Sequence, residues 1–140
     1  MTSLVNYFFE SIRPFKRALP KKKWIRLCVV AEKKEIECIN FIFCTDAYLQ
    51  KINKKYLGQT YLTDVISFDN RTKKTNNIIG DIFISIERVK SNSSAYKTTY
   101  KEELARVIIH GTLHLIGYKD KKKVDKEIMT EKENFYLKLK

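Results

Sequence analysis

The chain is short of the residues that staple, span or divide a protein. Its three cysteines, Cys28, Cys38 and Cys44, sit among aliphatic or aromatic neighbours, with no C-x-x-C pair and no even count. That excludes a disulfide framework and a cysteine zinc site, and leaves reduced core thiols. There are two prolines in 140 residues, no internal repeat and no low-complexity linker. No domain boundary is suggested, and residues 1–140 are expected to form one domain, long enough to bury a core without staples. No apolar run approaches the roughly 18 residues of a membrane span. The start, MTSLVNYFFESIRPF, lacks the basic-then-apolar layout of a secretory leader and is interrupted by Glu10. A cytoplasmic location with no membrane partner is the expectation.

Acids are scarce as well. Sixteen Asp and Glu against 28 Lys and Arg leave a formal charge of +12. The surplus runs along the whole chain: Lys21 to Lys23 beside Trp24, Lys51, Lys54 and Lys55, Arg71, Lys73 and Lys74, then Lys119 and Lys121 to Lys123. Such a surplus favours polyanionic partners through counterion release, nucleic acid first among them. The plainer alternative is a lysine-rich surface that only solvates the protein.

What is present reads as strands early and helices late. VNYFFE (5–10), IECINFIFC (36–44), DVISF (64–68) and GDIFISI (80–86) are rich in β-branched and aromatic residues and predict strands, the second half of 36–44 buried on both faces. The polar, basic DNRTKKTNN separates the last two. KKKWIRLCVVAEKK after Pro20 predicts a helix. Asp46 can cap another, whose buried stripe would be Leu49, Ile52 and Tyr56. Thr99 with Glu102 matches a capping box opening a helix to Ile116, apolar nearly all round from Val107 and so expected inside the protein. A closing helix from about Val124 would carry Val124, Ile128, Phe135 and Leu139 on one side. The expected fold is α+β, with a mixed sheet of about four strands, about five helices and a buried central helix.

Histidine occurs twice, and both copies lie in HGTLHLIGYKD, residues 110–120. Four apart on a helix, His110 and His114 share a face and can present two imidazoles to one divalent metal. Asp120 cannot join them on a continuing helix, since ten residues would carry it roughly 15 Å from His110. Gly117 is where the chain can end the helix and turn back, because glycine reaches left-handed backbone at little steric cost. His110, His114 and Asp120 are therefore the candidate metal ligands. The spacing is nearly that of metzincin peptidases, but their general-base glutamate is replaced by Gly111, which disfavours peptide hydrolysis. Gly111 in mid-helix costs about 1 kcal/mol relative to alanine, and is expected to let a strand or a substrate pass close by.

The helix motif resembles the YbeY family of bacterial rRNA maturation factors, whose signature reads H-G-x-L-H-L-x-G-Y-D-H. The agreement is at His110, Gly111, Leu113, His114, Leu115, Gly117 and Tyr118. INKKYLGQTYLTDVISF is similar to the family's segment running through a tyrosine and a Thr-Asp or Thr-Asn pair into V-L-S-F. IIGDIFIS is similar to its L-G-D-I-x-I-S strand, and Met129 and Glu133 match a Met and a Glu of its closing helix. The resemblance covers roughly residues 39–140. It implies a single-strand-specific, metal-dependent endoribonuclease of 16S rRNA 3′-end maturation and ribosome quality control, holding one Zn²⁺ or another divalent metal and working with RNA and ribosomal proteins.

Two positions depart from the family. Its usual third ligand is histidine, where this chain has Asp120. Two His and one Asp still suit catalytic zinc, and also Fe(II), while the added negative charge weakens the ion as a Lewis acid. The arginine that commonly follows the upstream tyrosine is Leu57 here, leaving Lys54 or Lys55 as possible phosphate contacts. These departures keep open a second function, an RNA-binding ribosome-assembly protein with a structural metal. No general base is assigned; Asp64 and Asp81 are candidates only because they lie in family-like motifs.

Overall fold

The four stretches rich in aromatic and β-branched residues are the four strands of the computed structural model, which describes residues 3–140. The first two residues of the stretch read for a leader lie outside the described residues. In chain order the elements are β1 (Leu4–Phe9), α1 (Lys22–Ala31), β2 (Glu35–Cys44), α2 (Asp46–Leu57), β3 (Val65–Asp69), β4 (Asn77–Ser85), α3 (Ile86–Ala95), α4 (Tyr100–Ile116) and α5 (Lys123–Leu137). The sheet is mixed, ordered β1-β2-β4-β3, with β1, β2 and β4 parallel and β3 antiparallel to β4. The expected α+β class, strand number and helix number all hold.

The register of β4 divides the core in two. Ile78, Ile82 and Ile84 join a large cluster with Ile108, Ile109 and Leu113 of α4, all of them fully buried. Each such side chain removed from water contributes about 1.5–3 kcal/mol. Phe83 joins a small cluster with Cys44, Leu49, Ile66 and Phe68, where α2 packs. Strand alternation at period two thus assigns α4 and α2 to different packing environments.

Gly111 brings α4 down onto the sheet. A Cβ there would lie 2.7 Å from Ile82 Cγ2 and 3.2 Å from Val65 Cγ2. Its carbonyl also accepts a hydrogen bond from Ser67 Oγ at 3.0 Å. The neighbour this glycine admits is therefore a pair of strands, one of the two alternatives the sequence left open.

Several local expectations are corrected. Asp46 is not the cap of α2: Thr45 is, its side chain accepting from the Tyr48 amide at 3.1 Å. The Asp46 carboxylate instead accepts from Ser85 Oγ at 2.6 Å and pairs with Arg88 at 3.1 Å. Leu49 is buried and Ile52 half-buried, but Tyr56 is exposed and the second fully buried residue of α2 is Asn53, whose amide donates to the Tyr61 carbonyl. Ile86 belongs to α3, a helix the sequence reading did not separate, because the Ser85 side chain caps it by accepting from the Arg88 amide. Thr99 caps α4 as expected, but Glu102 completes the turn through the Thr98 hydroxyl. The expected apolar stripe faces outward, Val124, Ile128 and Phe135 in α5 and Leu139 just beyond its end, and Met129, Glu133 and Tyr136 form the buried face. Glutamate sits inside because it finds partners there that a hydrocarbon side chain cannot satisfy.

Candidate metal centre

The C-terminal half of α4 is buried except along one narrow edge. Ile109, Leu113 and Leu115 point into the core, while His110 and His114 are half-buried and emerge together, as their spacing of four requires. The helix stops at Gly117, where φ is +124°, a backbone that L side chains rarely adopt. The Gly117 and Tyr118 amides donate to the Leu113 carbonyl at 3.1 and 3.0 Å, closing the helix end. Arg71 Nη2 donates to the Leu115 carbonyl at 2.9 Å while pairing with Asp69. This arginine, counted in the sequence with the basic surplus, is a nearly buried tie between the β3–β4 connection and the end of α4.

The reversal returns Asp120 to the two rings. His110 Nε2 and His114 Nε2 lie 3.0 Å apart, and Asp120 Oδ2 is 3.2 Å from the first and 3.3 Å from the second. All three candidate ligands are thereby brought together as one group that could hold a metal ion. The proton inventory explains why. His114 Nδ1 faces the Tyr118 carbonyl at 2.9 Å, a group that only accepts, so Nδ1 carries hydrogen and Nε2 a lone pair. His110 Nδ1 faces Glu133 Oε2 at 2.6 Å, with the same consequence for a neutral ring. With both rings neutral, two lone pairs and a carboxylate oxygen converge, a mutually repulsive set that a bound cation or a proton on one ring relieves. Ligand atoms about 2.0–2.1 Å from a tetrahedral ion stand ~3.3 Å apart, close to the observed edges. The donor set therefore fits a small divalent metal.

Glu133 is what the sequence reading matched but gave no role. Its carboxylate bonds His110 on one oxygen and Arg106 on the other, at 2.9 Å. The carboxylate–histidine pair fixes the ring's tautomer and orientation, as partners of metal-bound histidines commonly do. Burial opposes the charged imidazole of His110, but the Glu133 hydrogen bond and the surrounding acids prevail and raise its pKa. The available signal was the match to the family's closing helix; in the fold Glu133 shares the buried 129/133/136 stripe of α5 with Met129 and Tyr136.

The two further acids differ. Burial raises the pKa of Asp64, against the nearby His110, and its side chain accepts from Asn92 at 3.2 Å. Asp81 accepts from Asn40 at 2.9 Å and Asn70 at 3.0 Å, tying β4 to its neighbours. Lys119 and Lys121 to Lys123 are exposed around the return loop and give its rim a positive charge. No helix among the described residues is long and apolar enough to cross a membrane.

Comparison with known proteins finds relatives over nearly the whole chain. The family model for Endoribonuclease YbeY matches residues 16–139, reaching further toward the N-terminus than the motifs recognised in the sequence. An Endoribonuclease YbeY from Karelsulcia muelleri (strain GWSS) is 52% identical over 134 residues, covering 96% of this chain and 94% of its own. Another from Christiangramia forsetii is 45% identical over 129 residues, covering 92% and 89%. The solution structure of a Thermotoga maritima protein superposes with a TM-score of 0.61 at 27% identity, covering 84% of this chain and 76% of that one. A pair of imidazoles on a buried helix, a glycine reversal and a carboxylate-braced ring are thus set in a chain that belongs to the YbeY family of endoribonucleases.

Proposed function

We propose that this protein is a metal-dependent endoribonuclease that cuts single-stranded RNA in 16S rRNA 3′-end maturation and ribosome quality control, with His110, His114 and Asp120 holding one Zn²⁺. On this reading residues 1–140 act as one domain, in the cytoplasm, alongside the ribosome or its proteins. The observation that carries it is the convergence of three acceptor atoms within 3.3 Å, both rings having their Nδ1 hydrogens already engaged.

When bound, the ion supplies Lewis acidity for phosphodiester hydrolysis. The chain's own residues supply the rest. Glu133 and the Tyr118 carbonyl hold the two rings so that both Nε2 atoms face one point. Asp120 adds a negative charge to the set, which lowers the net positive charge met by a phosphate. The exposed lysines beside it attract the RNA backbone without reading sequence.

An assembly factor with a structural metal remains the second reading, favoured by the exposed Leu57 where the family commonly has arginine. Structural zinc is almost always enclosed by four protein ligands. The group found among the described residues has three, which supports an open coordination position. Peptidase chemistry has no carboxylate at Gly111, which is packed against Ile82.

The test is cleavage of single-stranded RNA and of casein by zinc-loaded protein, beside His114→Ala. RNA should be cut, casein left intact, and the variant should lose more than the roughly 10–100-fold that follows removal of an outer-sphere partner. RNA bound tightly at low salt but left whole would favour the assembly factor. Equal cutting by the variant would trace the activity to a contaminant.

A further inference from the structure

One carboxylate outside the ligand motif stands behind both imidazoles. Glu32 ends α1, far in sequence from residues 110–120, and its side chain is only 8% exposed. It accepts from the Tyr118 hydroxyl at 2.5 Å, from the Tyr136 hydroxyl, and from Lys132 Nζ at 3.0 Å. Lys132 also lies over the Tyr118 ring, 5.7 Å from its centroid. Three donors on one buried carboxylate bind a helix end, the return loop and α5 into one joint.

Each branch of that joint leads to a ring. Tyr118 is fixed by its hydroxyl to Glu32, and its carbonyl accepts from His114 Nδ1. Two residues on, the same loop carries Asp120. Lys132 and Tyr136 flank Glu133 on α5, and Glu133 accepts from His110 Nδ1. Beyond the Gly117 and Tyr118 amides that close the helix end, the loop that bears the third ligand is open: Gly117 faces solvent on its Cβ side and Lys119 is exposed. A reversal at a glycine is conformationally permissive, so something must select the one arrangement that returns the aspartate.

We propose that Glu32 is a positioning residue for the metal centre, acting through Tyr118 to hold the 117–120 loop against His114 and bring Asp120 into the ligand set. The inference rests on the metal-site reading above, but its test reads metal affinity, not cleavage.

Tyr118→Phe removes the hydroxyl and keeps the backbone carbonyl that orients His114. Tyr136→Phe removes an equivalent hydroxyl that serves only the α5 branch. Zinc affinity by chelator competition, thermal stability of the metal-free protein, and the visible spectrum of the Co²⁺-substituted protein are measured for both, for Glu32→Gln, and for Glu32→Gln with Tyr118→Phe. Tyr118→Phe should weaken zinc binding about tenfold or more and alter the cobalt spectrum, while lowering the metal-free melting temperature no more than Tyr136→Phe does. Tyr136→Phe should change the cobalt spectrum and the zinc affinity less, because Lys132 still ties α5 to Glu32 and Glu133 keeps its bond to His110. The double variant should bind zinc no more weakly than Glu32→Gln alone, since both changes open the same connection. Wild-type affinity in Tyr118→Phe, or additive losses in the double variant, would overturn the positioning role while leaving the ligand set standing. Failure of the unaltered protein to bind zinc or cobalt would overturn both.

Discussion

The two faces of the sheet are built to different tolerances. Against α4, the isoleucines of β4 meet a helix so close that residue 111 has no room for a methyl group, and the carbonyl there is tied to Ser67. Against α2, the buried cluster contains only Cys44, Leu49 and Ile66, and the helix ends in exposed Tyr56 and Leu57. The metal centre stands on the first face, the exposed Leu57 on the second. Ligand atoms must hold positions to within fractions of an ångström, and only a densely packed helix with braced side chains does so. Of the two departures from the family signature, Leu57 lies on the looser side, where exposure makes substitution inexpensive in stability, and Asp120 stands in the metal centre itself.

The sharpest way to test that contrast is to crowd the tight face. Gly111→Ala would gain about 1 kcal/mol of helix propensity. It meets Ile82 at 2.7 Å, however, and overpacking of this kind costs typically 1–3 kcal/mol. A net loss of stability in urea titration is expected, together with weaker zinc binding as α4 lifts. An unchanged midpoint would mean the interface yields more easily than its contacts imply.

A second test uses pH. Burial acts to raise the Glu32 pKa, but hydrogen bonds from Tyr118, Tyr136 and Lys132 outweigh it and leave the pKa below its ordinary value. A group with a depressed folded pKa contributes stability that is complete above its unfolded value and disappears as pH falls through the folded one. The metal-free protein should therefore exceed Glu32→Gln in stability at neutral pH, and the gap should close as the solution is acidified below the usual glutamate range. A gap that widened toward acid would reverse the sign. The smallest effect is on the other face: Leu57→Ala, half-exposed at the end of α2, should stay within about 0.5 kcal/mol of the parent.

Much of the site was legible because its logic is local. Histidines four apart must share a helical edge, and an acid ten residues on can return only if the helix breaks, which the glycine permits. Glu133 was visible as a match but not as a brace, since no rule of spacing says which residue of α5 meets His110. Hydrophobicity alone groups Val124, Ile128, Phe135 and Leu139 on one side of the closing helix, yet that side is exposed and Glu133 and Tyr136 go inside with their partners. Arg71 was counted as surface charge for the same reason: composition records a cation, and only packing reveals that Asp69 and the end of α4 occupy it.

Sequence by itself determined the sheet-forming segments, the central helix, the three candidate ligands and the basic character, because each follows from neighbours within a turn or two or from a simple count. Tertiary structure decided strand order, which face of α2 and α5 is buried, and the joining of Glu32 to a loop 86 residues away through Tyr118. Those outcomes depend on contacts between segments remote in the chain, and no local periodicity encodes which remote partner will satisfy a buried charge.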